Sequence, residues 1–190
     1  VTLGSAALAY STDTPKAESK LQPLGEDRRP WLLAGYRRLH QFSQRCAEKH
    51  DLDELLSAML DDLIDVLRAD KGFVILLEDG KPQVRVARGT ATKPVDAQAQ
   101  ISDSIVQRVL ERREPVLVSD ALNDTLFSKS KSVIDLKLSS VSCVPLVTQG
   151  NLLGCIYLGN DRVANLFGPA DLEVLEVFAA QAAHEIQSAT

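Results

Sequence analysis

Apolar residues recur at Leu32, Tyr36, Leu39 and Cys46, with Ser43 in the same stripe, at alternating steps of four and three. That spacing predicts a helix whose narrow seam packs on another helix. Asp51, with Glu54 three residues on, is a cap-like start for a second helix. Leu52, Leu55, Leu56, Met59, Leu60, Leu63, Ile64 and Leu67 give that helix one broad apolar face.

The pattern then changes period. "KGFVILLED" is a compact apolar run ending at Asp79-Gly80, a strong two-residue hairpin signal, and Val84 and Val86 alternate strictly after it. Ser102 is positioned to cap a helix through Ile105, Val106, Val109 and Leu110, which stops before Pro115. "PVLVSD" reads as a short strand. Asn123 to Lys137 is polar and irregular, with Phe127 its only aromatic and a short helix expected near Val133 to Leu136. Two further strands flank a turn at Gln149-Gly150-Asn151. Gly168, Pro169 and Asp171 open a last helix, with apolar positions Leu172, Leu175, Val177, Phe178, Ala179, Ala182, Ala183 and Ile186. Paired strands bounded by terminal helices predict an α+β layer design with a largely antiparallel sheet.

The first thirty residues stand apart. "VTLGSAALAY" (1–10) reads as a strand with nothing nearby to pair with, and 11–30 as a polar, proline-containing linker. With no initiator Met, the expectation is a piece of a larger protein: 1–10 from a preceding domain, 11–30 linker, 31–50 a signalling and dimerisation helix, 51–190 the main domain.

Composition narrows the function class. The 190 residues are 45% hydrophobic and 25% charged, an ordinary globular balance, with a formal charge of -5. An acidic chain is not built to neutralise phosphates, so direct nucleic-acid binding is not expected. No stretch approaches the roughly 18 to 20 apolar residues of a membrane span. Three cysteines without metal-ligand spacing point to a reducing cytoplasm.

The residue types that carry chemistry mostly have ordinary settings in this chain. Cys143 and Cys155 sit in apolar strands, where a free thiol behaves as a small hydrophobe and lacks the electropositive setting a thiolate needs. His40, His50 and His184 stand at no ligand spacing to a cysteine or to one another, so no metal is expected. No glycine cluster fits a phosphate loop. Asp61 and Asp62 diverge on a helix surface. Asp120 and Asp124, flanking Phe127 and Ser128 to Ser132 in the irregular loop, are placed to close over a cavity, with turn capping as the simpler reading. The absence of a catalytic constellation favours binding or signalling over an enzyme.

Four segments, "ADKGFVILLED", "REPVLVSDALNDTLFSKSKSV", "SSVSCVPLVTQGNLLGCIYLGN" and "LFGPADLEVLEVFAAQAAHEI", resemble a GAF domain from about Leu52 to Ile186. The resemblance implies a central antiparallel sheet of five or six strands. It places terminal helices on one face and a pocket on the other, roofed by internal helices and loop. It implies a regulatory module that binds a small molecule, dimerises through its terminal helices, and controls a downstream output domain. The style is most similar to GAF domains of bacterial AAA+ enhancer-binding transcriptional activators and of related multi-domain kinases and cyclases, and "VTLGSAALAY" resembles the last strand of the forkhead-associated domain that comes first in some of them.

Ligand residues carry over only in part. The cyclic-nucleotide motif of the family matches at Asn160, Phe167 and Asp171, but Asp161 replaces its Lys and Leu172 its Glu, so these positions read as structural. No cysteine stands where bilin-binding members need it, no histidine where haem-binding members place one, and 89–137 lacks the clustered cysteines of the methionine sulfoxide reductase branch. No cofactor is expected. Pocket candidates are Phe73 and Ile75, then Asp124, Phe127 and Ser128, then Ser142, Val144 and Tyr157. A one-residue parity slip would move any strand residue to the other face. Dimerisation candidates are Leu32, Tyr36, Leu39, Cys46, Phe178 and Ala182. The alternative is a degenerate domain that only dimerises or docks another protein.

Overall fold

The computed structural model describes residues 29–48, 51–89, 101–118, 140–160 and 167–189, with side chains from residue 33 onward. The strand and linker expected at 1–28, the helix near Val133 to Leu136, and Asp120, Asp124, Phe127, Ser128 and Asp161 lie outside these residues, as does the Leu32 side chain. The chain divides into two compact units, Val1–Ala34 and Gly35–Thr190. All described strands belong to the second unit, and the first described helix crosses into it at Gly35.

Helix α1 runs Arg29–Ala47 and α2 runs Leu52–Leu67. The Asp51 carboxylate accepts the Glu54 backbone N–H at 3.4 Å, as the cap-like spacing predicts. Arg68 closes α2 in the left-handed conformation, its N–H donating to the Ile64 carbonyl. Strands β1 (Lys71–Glu78) and β2 (Lys81–Gly89) form the expected hairpin, with Asp79 and Gly80 both at positive φ. Two consecutive left-handed residues are what a tight turn joining twisted strands requires. Helix α3 (Asp103–Arg112) and the short β3 (Val116–Val118) come next. Ser102 occupies the N-cap position of α3, but its hydroxyl makes no cap bond and instead shares a hydrogen with Ser104 Oγ at 3.1 Å. Strands β4 (Ser140–Thr148) and β5 (Asn151–Asn160) make the second hairpin, and α4 (Pro169–Ala189) ends the fold.

All pairings are antiparallel, in the order β2-β1-β5-β4-β3. The α+β class and the layered arrangement are therefore as the sequence implies, with five strands. β1 and β5 lie centrally and are buried on both faces, which is why they read as continuous apolar runs.

One face carries α2 and α4. Gly72 seats α2 there: a Cβ at this position would meet Leu158 Cδ2 at 2.8 Å and Leu60 Cδ2 at 3.3 Å. Above this layer lies α1. Its Phe42, fully buried, stacks on Phe178 of α4 with centroids 5.8 Å apart. Arg38 reaches Asp62 at 2.6 Å and Asp65 at 2.9 Å on α2. Two arginine–aspartate bonds and a ring stack fix α1 to the domain.

Candidate functional site

The opposite face of the sheet bears α3. Across β1, β5 and β4 the register aligns Phe73, Tyr157 and Cys143 in one row, and Ile75, Cys155 and Pro145 in the next. Alternation sends Phe73, Ile75, Tyr157, Cys143 and Cys155 to the same side, where they form one buried cluster with Ile105, Val109 and Val118. Phe73 and Tyr157 meet edge to face, centroids 5.8 Å apart. The Tyr157 hydroxyl accepts the Ser102 backbone N–H at 3.3 Å, so the phenol oxygen sits at the start of α3. Helix N-termini leave N–H groups without intrahelical partners. A buried hydroxyl serves one of them here.

Lys71 belongs to this face too. It shares the parity of Phe73, is only 2% exposed, and lies along Gly159, where an added Cβ would meet Lys71 Cε at 3.0 Å and Tyr157 Cε1 at 3.5 Å. A lysine this buried is uncommon. Its ordinary place before "GFVILLED" gave no sign of it, except that a strand beginning at Lys71 points its first side chain the same way as Phe73.

Phe73, Ile75 and Tyr157 thus share the α3 face, as the pocket reading needs. Ser142 and Val144 do not. They pair with Leu158 and Ile156 and face α2 and α4. The reason is a bulge. The ladder leaves the turn with Thr148 opposite Asn151 and Val147 opposite Leu152, but Leu146 then pairs with Gly154, leaving Leu153 as an extra residue. An unbroken ladder would have set Ser142 beside Tyr157; the bulge sets Cys143 there. Gly154 permits it, because a Cβ at this position would fall on the Ile75 carbonyl oxygen, well inside van der Waals contact. The Ser142 hydroxyl is buried with no hydrogen-bond partner among the described residues.

The thiols of Cys143 and Cys155 lie side by side in this apolar cluster. Burial, and then the Cys155 thiol beside it, pushes the Cys143 thiol well above its ordinary range. A thiol raised in this way stays protonated at neutral pH. Cys46, between α1 and α4, is pushed up to about 11, first by burial and then by the Glu185 carboxylate. Among the described residues no three His, Cys, Asp or Glu side chains are grouped to hold a metal ion, and no helix is long and apolar enough to cross a membrane.

The positions matching the cyclic-nucleotide motif have structural partners. Asn160 is 4% exposed and donates to the Arg68 carbonyl at 3.3 Å, Phe167 is buried, and Asp171 accepts the Gly168 N–H at the start of α4. Of the residues expected to dimerise, Phe178 and Ala182 are fully buried within this chain. Within this chain α1 covers Phe178 through Phe42. Leu39 and Cys46 are half-buried, while Tyr36 on α1 and Val177 on α4 are exposed.

The architecture has counterparts among solved structures. The GAF domain of a phosphoenolpyruvate-protein phosphotransferase from Coxiella burnetii aligns with a TM-score of 0.67 at 20% identity, covering 83% of this chain and 95% of that one. The A. aeolicus nlh2 GAF domain in an inactive state aligns at 0.65 and 13% identity, covering 84% and 99%. In sequence, hybrid signal transduction histidine kinase G of Dictyostelium discoideum is 30% identical over 86 residues, a stretch that is 45% of this chain and 2% of that protein. Residues 49–187 match the family model described as the GAF domain, and the chain belongs to that family.

Proposed function

We propose that the chain is a regulatory sensory domain of a bacterial signal-transduction or transcription-regulatory protein, and that it is not an enzyme. It binds a small ligand against the α3 face of the sheet and passes the state of that face to an output domain through its terminal helices. The observation that carries this reading is the assembly of Lys71, Phe73, Tyr157 and the α3 N-terminus on one side of the sheet, with α1 and α4 joined on the other. A cation, an aromatic edge and a helix start around one ring can orient a small polar molecule. Membership of a family whose relatives include a signalling histidine kinase supports the regulatory part. The burial of Cys143 and Cys155, with the Cys143 thiol pushed well above its ordinary range, speaks against sulfur catalysis.

A second reading, dimerisation or docking alone, is favoured by the complete burial of Phe73 and Tyr157 by the domain's own side chains. Exposed Tyr36 and Val177 are the residues of the helix layer that such a partner would meet. Both readings expect a homodimer in the cytoplasm.

A thermal-shift screen against cyclic mono- and dinucleotides, amino acids and oxo-acids tests the first, since a ligand selective for the native state raises its stability. Sedimentation at tens of micromolar tests the dimer. A saturable shift that Lys71→Met or Tyr157→Phe weakens supports the ligand reading. No shift with a dimer leaves the second reading, and no shift with a monomer overturns the ligand reading and the dimerisation half of the second.

A further inference from the structure

A concavity lies away from Tyr157, where the tips of both hairpins meet α3. Its volume is about 510 Å³, within the usual range for small-molecule sites. Leu77 and Pro82, cross-strand partners near the β1–β2 turn, form one wall. Leu152 of β5 joins them, and Val106 and Leu110 of α3 complete an apolar floor. The sequence pattern would not have placed Leu152 here. The bulge at Leu153 and Gly154 changes the parity of the strand, and a second register shift at Val74 and Ile75 bends the other hairpin. Sheets bend and twist locally at such points.

The rim is acidic and periodic. Asp103, Gln107 and Glu111 border the groove, all well exposed or half-exposed, and none of the described residues lining it is basic. The arginines of α3, at 108 and 112, follow one position later and so start a neighbouring stripe. Gln107 Nε2 donates to Glu111 Oε1 at 2.9 Å, which leaves the amide oxygen of Gln107 as the group that a donor can approach. At 1.5 Å per residue the three rim positions stand about 6 Å apart along the helix, about 12 Å end to end.

We propose that this groove binds a linear aliphatic polyamine. From ordinary bond lengths, nitrogens separated by three or four methylenes lie about 5 to 6 Å apart in an extended chain. Terminal ammonium groups then meet Asp103 and Glu111, a central one meets the Gln107 amide oxygen, and the methylenes lie on Leu77, Val106 and Leu110. Charge attracts the ligand, and the apolar floor distinguishes it from a simple cation.

Isothermal titration and thermal shift with spermidine test this on the full chain, with magnesium as charge without a chain and 1,8-octanediol as a chain without charge. Spermidine is expected to bind saturably, to weaken as salt is raised, and to raise the melting temperature where the two controls do not. The double variant Asp103→Asn, Glu111→Gln is expected to lose at least tenfold in spermidine affinity while its ligand-free melting curve stays cooperative. Should that variant not fold, Gln107→Leu is expected to give a smaller loss by the same readout. Absence of binding at about 5 mM spermidine, an equal shift with magnesium, or unchanged affinity in the folded variants would overturn the proposal.

Discussion

The hydroxyl of Tyr157 accepts a hydrogen bond from the backbone N–H of Ser102, 55 residues earlier, at 3.3 Å, and both residues are fully buried. Through this bond the centre of the sheet locates the start of α3. Tyr157→Phe keeps the ring that meets Phe73 edge to face and removes the hydroxyl that accepts this bond. An unmet buried donor costs about 1 to 3 kcal/mol. The expected outcome is a loss of that size in chemical denaturation, with faster amide exchange confined to the first turn of α3. Unchanged exchange there would show that the bond does not hold the helix.

The thiols make stability depend on alkaline pH. Cys143 and Cys46 are both raised above 9.0, Cys46 to about 11. Below the unfolded value both thiols are neutral in either state, and their contribution to stability is fully present. Above it the unfolded chain ionises first and stability falls as pH rises toward the folded values. Urea midpoints should therefore hold to about pH 8.5 and decline above about 9. The decline should be shallower in a Cys46→Ala, Cys143→Ala variant, and equal slopes would contradict the assignment.

Phe42 ties α1 to the domain. Removing a fully buried phenylalanine ring typically costs about 3 to 5 kcal/mol. Phe42→Ala should fall in this range and raise the hydrogen exchange of α1, while the sheet keeps its protection. If Phe42→Ala cost under about 1 kcal/mol, α1 would be held chiefly by the polar contacts of Arg38, Arg45 and Cys46.

Gly154→Ala places a methyl group against the Ile75 carbonyl oxygen, at the centre of three strands. Backbone cannot yield there as a flexible side chain would. The variant should lose more than about 3 kcal/mol, far more than Gly150→Ala, which meets no atom within 4 Å and carries only the strain of its positive φ. Comparing the two melting temperatures separates steric crowding from turn conformation.

Much of this fold was legible in the chain. Asp51 with Glu54, the Asp79-Gly80 turn and the leucines of α2 each act through neighbours within a few residues, so local chemistry specifies them. The face of β4 was not legible, because it depends on a bulge whose cause is the approach of Ile75 from another strand. Ser102 shows the same limit. Its position at the helix start was readable, but the long-range bond to Tyr157 was not. Phe178 and Ala182 read correctly as a packing face of α4, but the spacing alone could not tell that the chain's own α1 would supply the cover. The buried lysine at 71 carried no signal, since a charged residue before an apolar run ordinarily marks a strand end in solvent.

The extra residue at Leu153 also means that interior chemistry is set by strand register as well as by residue identity. Absorbing it into the ladder, with Leu153 opposite Leu146, would shift every β4 side chain from Leu146 to Ser140 by one partner relative to β5, whereas deleting it would leave the present pairs in place. In the absorbed register Ser142 would stand where Cys143 stands, exchanging a sulfur pair for a hydroxyl beside Tyr157 without one substitution in β4. One residue left out of the ladder thus keeps the α3 side of β4 apolar where a continuous pairing would make it polar.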